Sequence, residues 1–301
     1  MFDVIVIGNV GIDTNIYYPE NEMDFEVETS FTENLDYIGN SGGYSARGFA
    51  QLGYWTSFIG YVGDDHNGRF ILNEFQLDGI NTDGVFIDPS GTAHSINILF
   101  RNGTRKSFYD GKKYMELSPN IEQCKSILGQ TNLAHFSIPN WARYLLPIAK
   151  ELGLTISCDI QDVVDLKDPY REDFIYFADV IFFSSVNIPD PGILMNTVLE
   201  EHPEKILVSG MGAKGCCLGS KKGIEYFDPV NLTEPILDTT GAGDGLAIGF
   251  LSSYFLEDLP LSDSILRGQI TARHTCSQKG SSSNLITLEE LDKKYKEELS
   301  R

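Results

Sequence analysis

Cysteine, basic residues and long apolar runs are all scarce in this chain, and each shortage removes a class of protein. The five cysteines, Cys124, Cys158, Cys216, Cys217 and Cys276, are scattered, odd in number and without a CxxC pair, so neither a disulfide framework nor a zinc site is indicated. The vicinal Cys216-Cys217 reads as a buried strand pair or as a thiol pair open to oxidants. Lys and Arg total 23 against 43 Asp and Glu, a formal charge of −20 that argues against a general binder of nucleic acid or anionic membrane. The opening Met1 to Gly8 lacks a basic n-region and a cleavage site, and its apolar run is far too short to span a bilayer, so a cytoplasmic protein is expected. His66, His94, His135, His202 and His274 show neither zinc spacing nor a nucleophile partner. No Gly-Lys-Ser/Thr follows a glycine loop, and Gly8-Asn9-Val10-Gly11 lacks the third glycine of a dinucleotide fingerprint.

What remains is an ordinary globular composition, 42% hydrophobic and 22% charged over 301 residues, enough for one large core with a small attachment. Short β-branched runs at Val4 to Ile7, Ile156 to Cys158, Val180 to Phe183 and Ile206 to Val208 alternate with helix-compatible stretches. That rhythm predicts parallel strands with crossover helices. Helices are expected over Tyr44 to Leu52, Gly68 to Leu77, Trp141 to Leu152, Gly245 to Phe255 and Ser262 to Gln278. A terminal helix should start behind Thr287, with Glu290 at capping-box spacing. Two stretches, roughly 14–38 and 92–110, break the rhythm. In the second, Ile96, Ile98 and Phe100 alternate before Arg101-Asn102-Gly103-Thr104, where Asn-Gly predicts a type I′ hairpin turn. Such strands do not join a parallel core easily, and we expect them to form a small β lid over an open site, its edge suited to cover by a second subunit.

The segment Asp238-Thr239-Thr240-Gly241-Ala242-Gly243-Asp244 carries the chemistry. A glycine turn opens the apolar helix that follows, and the first amides of such a helix have no intrahelical acceptor, so they can point at an anion. Donors oriented in advance suit the charge that develops on a transferring phosphoryl group. Asp244, in the first turn, is placed to take the proton of an attacking hydroxyl, and the helix dipole is expected to keep it ionised. On these residues alone, a tight turn with an ordinary N-terminal carboxylate remains an alternative.

The longer string, followed by Gly249-Phe250, closely resembles the C-terminal signature of the ribokinase/PfkB carbohydrate kinase family. Gly39-Asn40-Ser41-Gly42-Gly43-Tyr44, and Gly60 to Gly68 as a G-x-VGxDxxG element, resemble the N-terminal signature. The resemblance implies a ribokinase-like α/β three-layer sandwich, a single domain over 1–301 with a mostly parallel central sheet and a small β-sheet lid. It implies transfer of a phosphoryl group from ATP, with Mg²⁺, to the hydroxymethyl group of a sugar or sugar derivative. Asp244 would be the base and the amides of Gly241, Ala242 and Gly243 the anion hole. The acceptor would meet Asn9, Asp13, Gly42, Gly43 and Tyr44, and the nucleotide would meet Ser209, Gly210, Gly212, Gly215, Gly280 and Asn284. Asp238 and Thr240 match positions that in many members help hold a monovalent cation such as K⁺. Apart from the resemblance, the exposed edge of the lid leads us to expect a homodimer formed through it.

Departures from the family pattern limit the transfer. Position 40 is Asn where members usually carry glycine. Position 44 is Tyr where they carry an acceptor-contacting asparagine, so a stacking role toward a sugar or a base is expected of Tyr44, and a nucleoside kinase stays open. After Ala178 to Phe183, the family's Asn-x-x-Glu is replaced by Ser184-Ser185-Val186-Asn187. The missing carboxylate calls for a substitute, with Asp159, Asp162 and Asp165 as candidates. Its loss also leaves open a catalytically weak ligand-binding regulator.

Overall fold

In the computed structural model, which describes residues 1–163 and 168–300, the β-branched runs of the sequence become strands buried on both faces. Along the first of them, Val4 and Val6 join one apolar cluster while Ile5 and Ile7 join the other, on the opposite side of the sheet. Among the described residues the strands are β1 (Val4–Ile7), β2 (Gly11–Tyr18), β3 (Glu33–Gly39), β4 (Thr56–Val62), β5 (Asn81–Ile87), β6 (Ala93–Phe100), β7 (Arg105–Asp110), β8 (Leu133–Phe136), β9 (Thr155–Asp162), β10 (Val180–Ser184), β11 (Ile206–Gly210), β12 (Cys216–Ser220) and β13 (Gly223–Phe227). The helices are α1 (Ser41–Gln51), α2 (His66–Leu77), α3 (Ile121–Leu128), α4 (Leu146–Glu151), α5 (Glu172–Phe177), α6 (Pro191–Glu201), α7 (Ala242–Leu251), α8 (Leu261–Cys276) and α9 (Leu288–Leu299).

Nine strands form one sheet in the order β13-β12-β11-β10-β9-β8-β1-β4-β5, with β12 alone running against the others near one edge. One face packs on α1, α2, α7, α8 and α9, the other on α3 to α6, giving three layers. The chain leaves β1 to build β4 and β5 on one side, then returns to place β8 to β11 on the other. A crevice therefore opens beyond the carboxyl ends of β1 and its neighbours, where an open α/β sheet takes its ligands. Both stretches that break the strand-helix rhythm fall in a second, four-stranded sheet of order β3-β2-β6-β7.

Local chemistry sets the boundaries. Asp65, the aspartate of the G-x-VGxDxxG element, caps α2 by accepting from the Gly68 amide at 2.8 Å and also accepts from the Thr92 amide and hydroxyl. A side chain at Gly68 would put its Cβ 2.0 Å from the Gly63 carbonyl oxygen. The element thus knits the β4–α2 turn to the start of β6. The stretch expected as a helix from Trp141 divides into a 3₁₀ turn over Asn140–Leu145 and then α4, with Pro147 near the α-helical start. The β6–β7 hairpin corrects the expected turn. The Gly103 amide donates to the Phe100 carbonyl at 2.9 Å, and only Gly103 of the Asn-Gly pair has positive φ, at 82°. This is a type I turn closed by a left-handed glycine, not type I′.

Thr287 and Glu290 form the expected capping box at the start of α9, with both reciprocal bonds present. Thr287→Ala is expected to cost about 1 kcal/mol. A chemical-denaturation midpoint would read the loss.

Candidate active site

The Gly241 turn is held from below and from the side. Gly241 has φ 77°, and a Cβ there would lie 2.6 Å from Ser281 Cβ and 3.0 Å from the ring of Tyr44. Tyr44 is only 2% exposed, its hydroxyl 2.6 Å from Thr275 Oγ1. It is a core residue beneath the turn, which corrects the stacking role expected of it and removes the feature that favoured a nucleoside base. Gly42 and Gly43 are there for close packing: added Cβ atoms would meet Asn9 O at 2.6 Å and Val10 Cγ2 at 2.8 Å. Of the amides expected to form the anion hole, that of Ala242 already reaches the Thr239 carbonyl at 3.3 Å. Those of Gly241 and Gly243 belong to the turn and to the acceptor-free first turn of α7.

Asp244 is at the third position of α7, half-buried as a residue, with its Oδ1 buried without a partner. Burial raises its pKa first, the Asp159 charge raises it further, the Ser41 hydroxyl opposes this, and Asp13 adds a smaller rise. The expectation that the helix terminus keeps it ionised is thus reversed, because desolvation and two like charges outweigh the dipole. Asp159, in the second half of β9, is 8% exposed and is also raised, by burial above all, against the Gln161 amide and with help from Asp162. Three carboxylates from three elements therefore share this crevice.

Asp13 projects from β2 and is 6% exposed. Its carboxylate accepts from Asn40 Nδ2 at 2.8 Å and would be struck by any side chain at Gly39. Burial pushes its pKa up, and the bonds from Ser95 and Asn40 pull it down. Asn40 carries φ 61° and ψ 154°, a conformation that ordinarily demands glycine, which explains why the family prefers one there. Here the strain accompanies the bond to Asp13, and Asn40 Oδ1 is left buried without a partner, as is Ser41 Oγ. Asn9, at the end of β1, donates to the Tyr109 hydroxyl at 2.7 Å.

On the other wall, Asp238 is 3% exposed and engaged: it accepts from the Thr240 amide at 2.8 Å, Asn15 Nδ2 at 2.7 Å and the Tyr17 hydroxyl at 3.1 Å. These three donors take up much of its accepting capacity, so a monovalent cation held here with Thr240 would share the carboxylate with them. Thr240 Oγ1 accepts from Arg105 Nη1 at 2.8 Å, a reach across from β7. Ser209 is fully buried, so its side chain is withheld from any nucleotide. Gly210 follows at the strand end, and Gly212 and Gly215 shape the β11–β12 turn, with Gly215 at φ 90° and its Cβ position 2.0 Å from Phe227 O. Gly280 donates its amide to the Tyr17 hydroxyl at 2.9 Å, and exposed Asn284 donates to Gln278 at 2.9 Å.

Asn187 Nδ2 donates to Asp162 Oδ2 at 3.2 Å, which brings a carboxylate from β9 to the side chain standing where the family has its glutamate. Asp165 lies outside the described residues. Among the described residues no three acidic, histidine or cysteine side chains gather into a metal cage. Mg²⁺ delivered on a nucleotide needs only one or two protein carboxylates. Asp159, a buried carboxylate, fits that demand, with Asp162 beside it.

Arg105, Asn40 and Tyr109 are additions that sequence reading missed. The alternation of β7 places Arg105 and Tyr109 on one face, the only local signal that could have pointed to them.

A glycine turn at a helix N-terminus, a buried carboxylate beside it and a second buried aspartate at the carboxyl ends of a parallel sheet are the arrangement expected of an α/β phosphotransferase. Residues 1–137 and 191–288 match the family described as pfkB family carbohydrate kinase, and the chain belongs to it. It is a carbohydrate kinase. It is 24% identical to the acarbose 7(IV)-phosphotransferase of Actinoplanes sp. over 280 residues, covering 91% of this chain and 92% of that protein. It is 27% identical to the 5-dehydro-2-deoxygluconokinase of Geobacillus thermodenitrificans, covering 96% and 92%. The solved structure of a microbiome-derived acarbose kinase superposes with a TM-score of 0.88 at 26% identity, covering 98% of this chain and 99% of that one. A ribokinase of Arabidopsis thaliana, solved with ribose and ATP, shares the fold at a TM-score of 0.81 and 18% identity, covering 98% and 99%.

Proposed function

We propose that the protein transfers the γ-phosphoryl group of ATP to a hydroxymethyl group of a sugar or sugar derivative. The observation that carries this reading is a set of buried polar atoms without partners, Asn40 Oδ1, Ser41 Oγ and Asp244 Oδ1, beside the Gly241 turn. Buried polar groups are rarely left unpaired, and hydroxyls of a carbohydrate would satisfy them. The names of the acarbose and 5-dehydro-2-deoxygluconate kinases support a sugar-like acceptor.

In this mechanism Asp13 and Asn40 orient the acceptor so that its hydroxymethyl oxygen faces Asp244. The oxygen attacks Pγ, the bond from Pγ to the β,γ-bridging oxygen breaks, ADP leaves, and the acceptor proton passes to Asp244. Free amides at the start of α7 meet the charge on the moving phosphoryl group, and Arg105 adds a cation from the small sheet. Mg²⁺ on the nucleotide would neutralise phosphate charge and would be held by Asp159 and Asp162. The small sheet acts as a lid whose seating on Asp238 and Gly280 excludes water. Its outer face exposes Ile96 by 40% and Phe108 by 54%, which supports a homodimer formed through it.

ADP formation measured with ATP and Mg²⁺ over a panel of sugars, sugar acids and nucleosides tests the reading. Acceptor-stimulated turnover with at least one sugar is expected. Turnover with nucleosides alone, or with no acceptor, overturns it.

A further inference from the structure

One wall of the acceptor side goes beyond what a single sugar ring needs. Tyr109, on β7, keeps 46% of its surface exposed while its hydroxyl accepts from Asn9. Its ring centroid lies 5.9 Å from that of Tyr114 at an interplanar angle of 56°. Gly111 makes the pairing possible, because a Cβ there would sit 2.5 Å from the Tyr114 ring and 2.7 Å from that of Tyr109. Burial above all raises the pKa of the Tyr109 hydroxyl, and Tyr114, Asp13 and, least, the nearby Tyr170 add to the rise. Tyr170 is fixed in place by its bond to the Ile138 carbonyl at 2.6 Å and by the Arg143 guanidinium 4.8 Å from its ring centroid.

These rings are held before any ligand arrives, so docking against them loses little side-chain entropy. Through the bond from Asn9 the wall adjoins the residues expected to meet the acceptor. A sugar ring held there would leave the tyrosines within reach of a second ring. Two rings inclined at 56° cannot both lie flat on one planar base, whereas a puckered pyranose offers C–H groups in several directions and hydroxyls to the phenol oxygens.

We propose that Tyr109, Tyr114 and Tyr170 form a second-ring subsite, and that the acceptor is a glycoside of two or more rings phosphorylated on the ring nearest Asp244. This rests on the kinase reading above and specifies the substrate class of the same site.

The test compares kcat/KM for a matched series of mono-, di- and trisaccharides, with nucleosides as a separate arm, in wild type, Tyr109→Phe, Tyr109→Ala and Tyr114→Ala. The gain from one ring to two in wild type should be about tenfold or more, expressed mainly in KM. Each alanine variant should remove most of that gain, lowering two-ring efficiency about tenfold further than one-ring efficiency. Tyr109→Phe should retain most of it, because the ring face remains. Titration calorimetry with the disaccharide and no nucleotide should show the same order of affinities. Single-ring turnover with no gain on lengthening overturns the second-ring subsite and leaves the kinase reading standing. A tyrosine-dependent preference for nucleosides overturns it in favour of a base, and failure to phosphorylate any acceptor overturns both.

Discussion

Asp244→Asn is expected to lower kcat by about 10³-fold and, in the same protein, to raise thermal stability. The two effects share one cause. Burial and the neighbouring carboxylates lift the Asp244 pKa from 3.8 to about 8, so between those values the folded protein holds a proton that the unfolded chain releases. The stabilisation from this group is full below 3.8 and is lost as pH rises toward 8. A neutral asparagine avoids the cost of an ionised, crowded carboxylate, so the gain in Tm should be small at pH 5 and clear at pH 8.5. The same titration predicts that wild-type kcat/KM rises with pH up to about 8, since the base must be ionised to accept a proton. Steady-state kinetics and calorimetric melts at the two pH values check both halves. A near wild-type kcat removes Asp244 as base, and equal Tm values at pH 8.5 remove burial as the source of its shift.

Arg105→Gln is expected to lower kcat by about 10²-fold with little change in acceptor KM, because its charge would act on the phosphoryl group in transit rather than on the bound sugar. Arg47 and Arg267 are neutralised by carboxylates, whereas the bond Arg105 makes to Thr240 is to a neutral hydroxyl. Its full charge therefore stands beside the turn proposed to bind the phosphoryl group. Arg105→Lys should recover part of the rate, since it restores the charge without the planar fork. A kcat unchanged in Arg105→Gln would reduce the Thr240 contact to a resting position of the side chain.

The turn proposed to be catalytic was legible because it is local: seven consecutive residues specify a glycine turn, a helix start and a carboxylate. The capping box of α9 was legible for the same reason, as was the parallel core, whose strands advertise burial on both faces. What lies across the fold was not. The Arg105 contact spans 135 positions in sequence, and the Tyr17 contact with Gly280 spans 263. Tyr44 misled because a tyrosine in a ligand-contacting position looks available until the Thr275 hydroxyl and the overlying turn enclose it. The ionisation of Asp244 was misjudged because the dipole of its own helix is visible in sequence, while its burial and the Asp159 and Asp13 charges are set by other parts of the fold. The Asn102-Gly103 turn shows the converse limit, since the dipeptide fits two turn types and the register of β6 and β7 decides between them.

Asp238 has a consequence for how this sequence can drift. Its carboxylate takes bonds from Asn15 and Tyr17 on one sheet and from the Thr240 amide beside the catalytic turn. Asn15 in turn is fully buried and accepts from Tyr37 and Asn97 through its Oδ1. An exchange at any one of these positions strands a buried polar group, at about 1–3 kcal/mol each. Descendants of this chain should therefore inherit positions 15, 17, 37, 97 and 238 as a block, changing together or not at all, even though only position 238 lies in the signature by which the family is recognised.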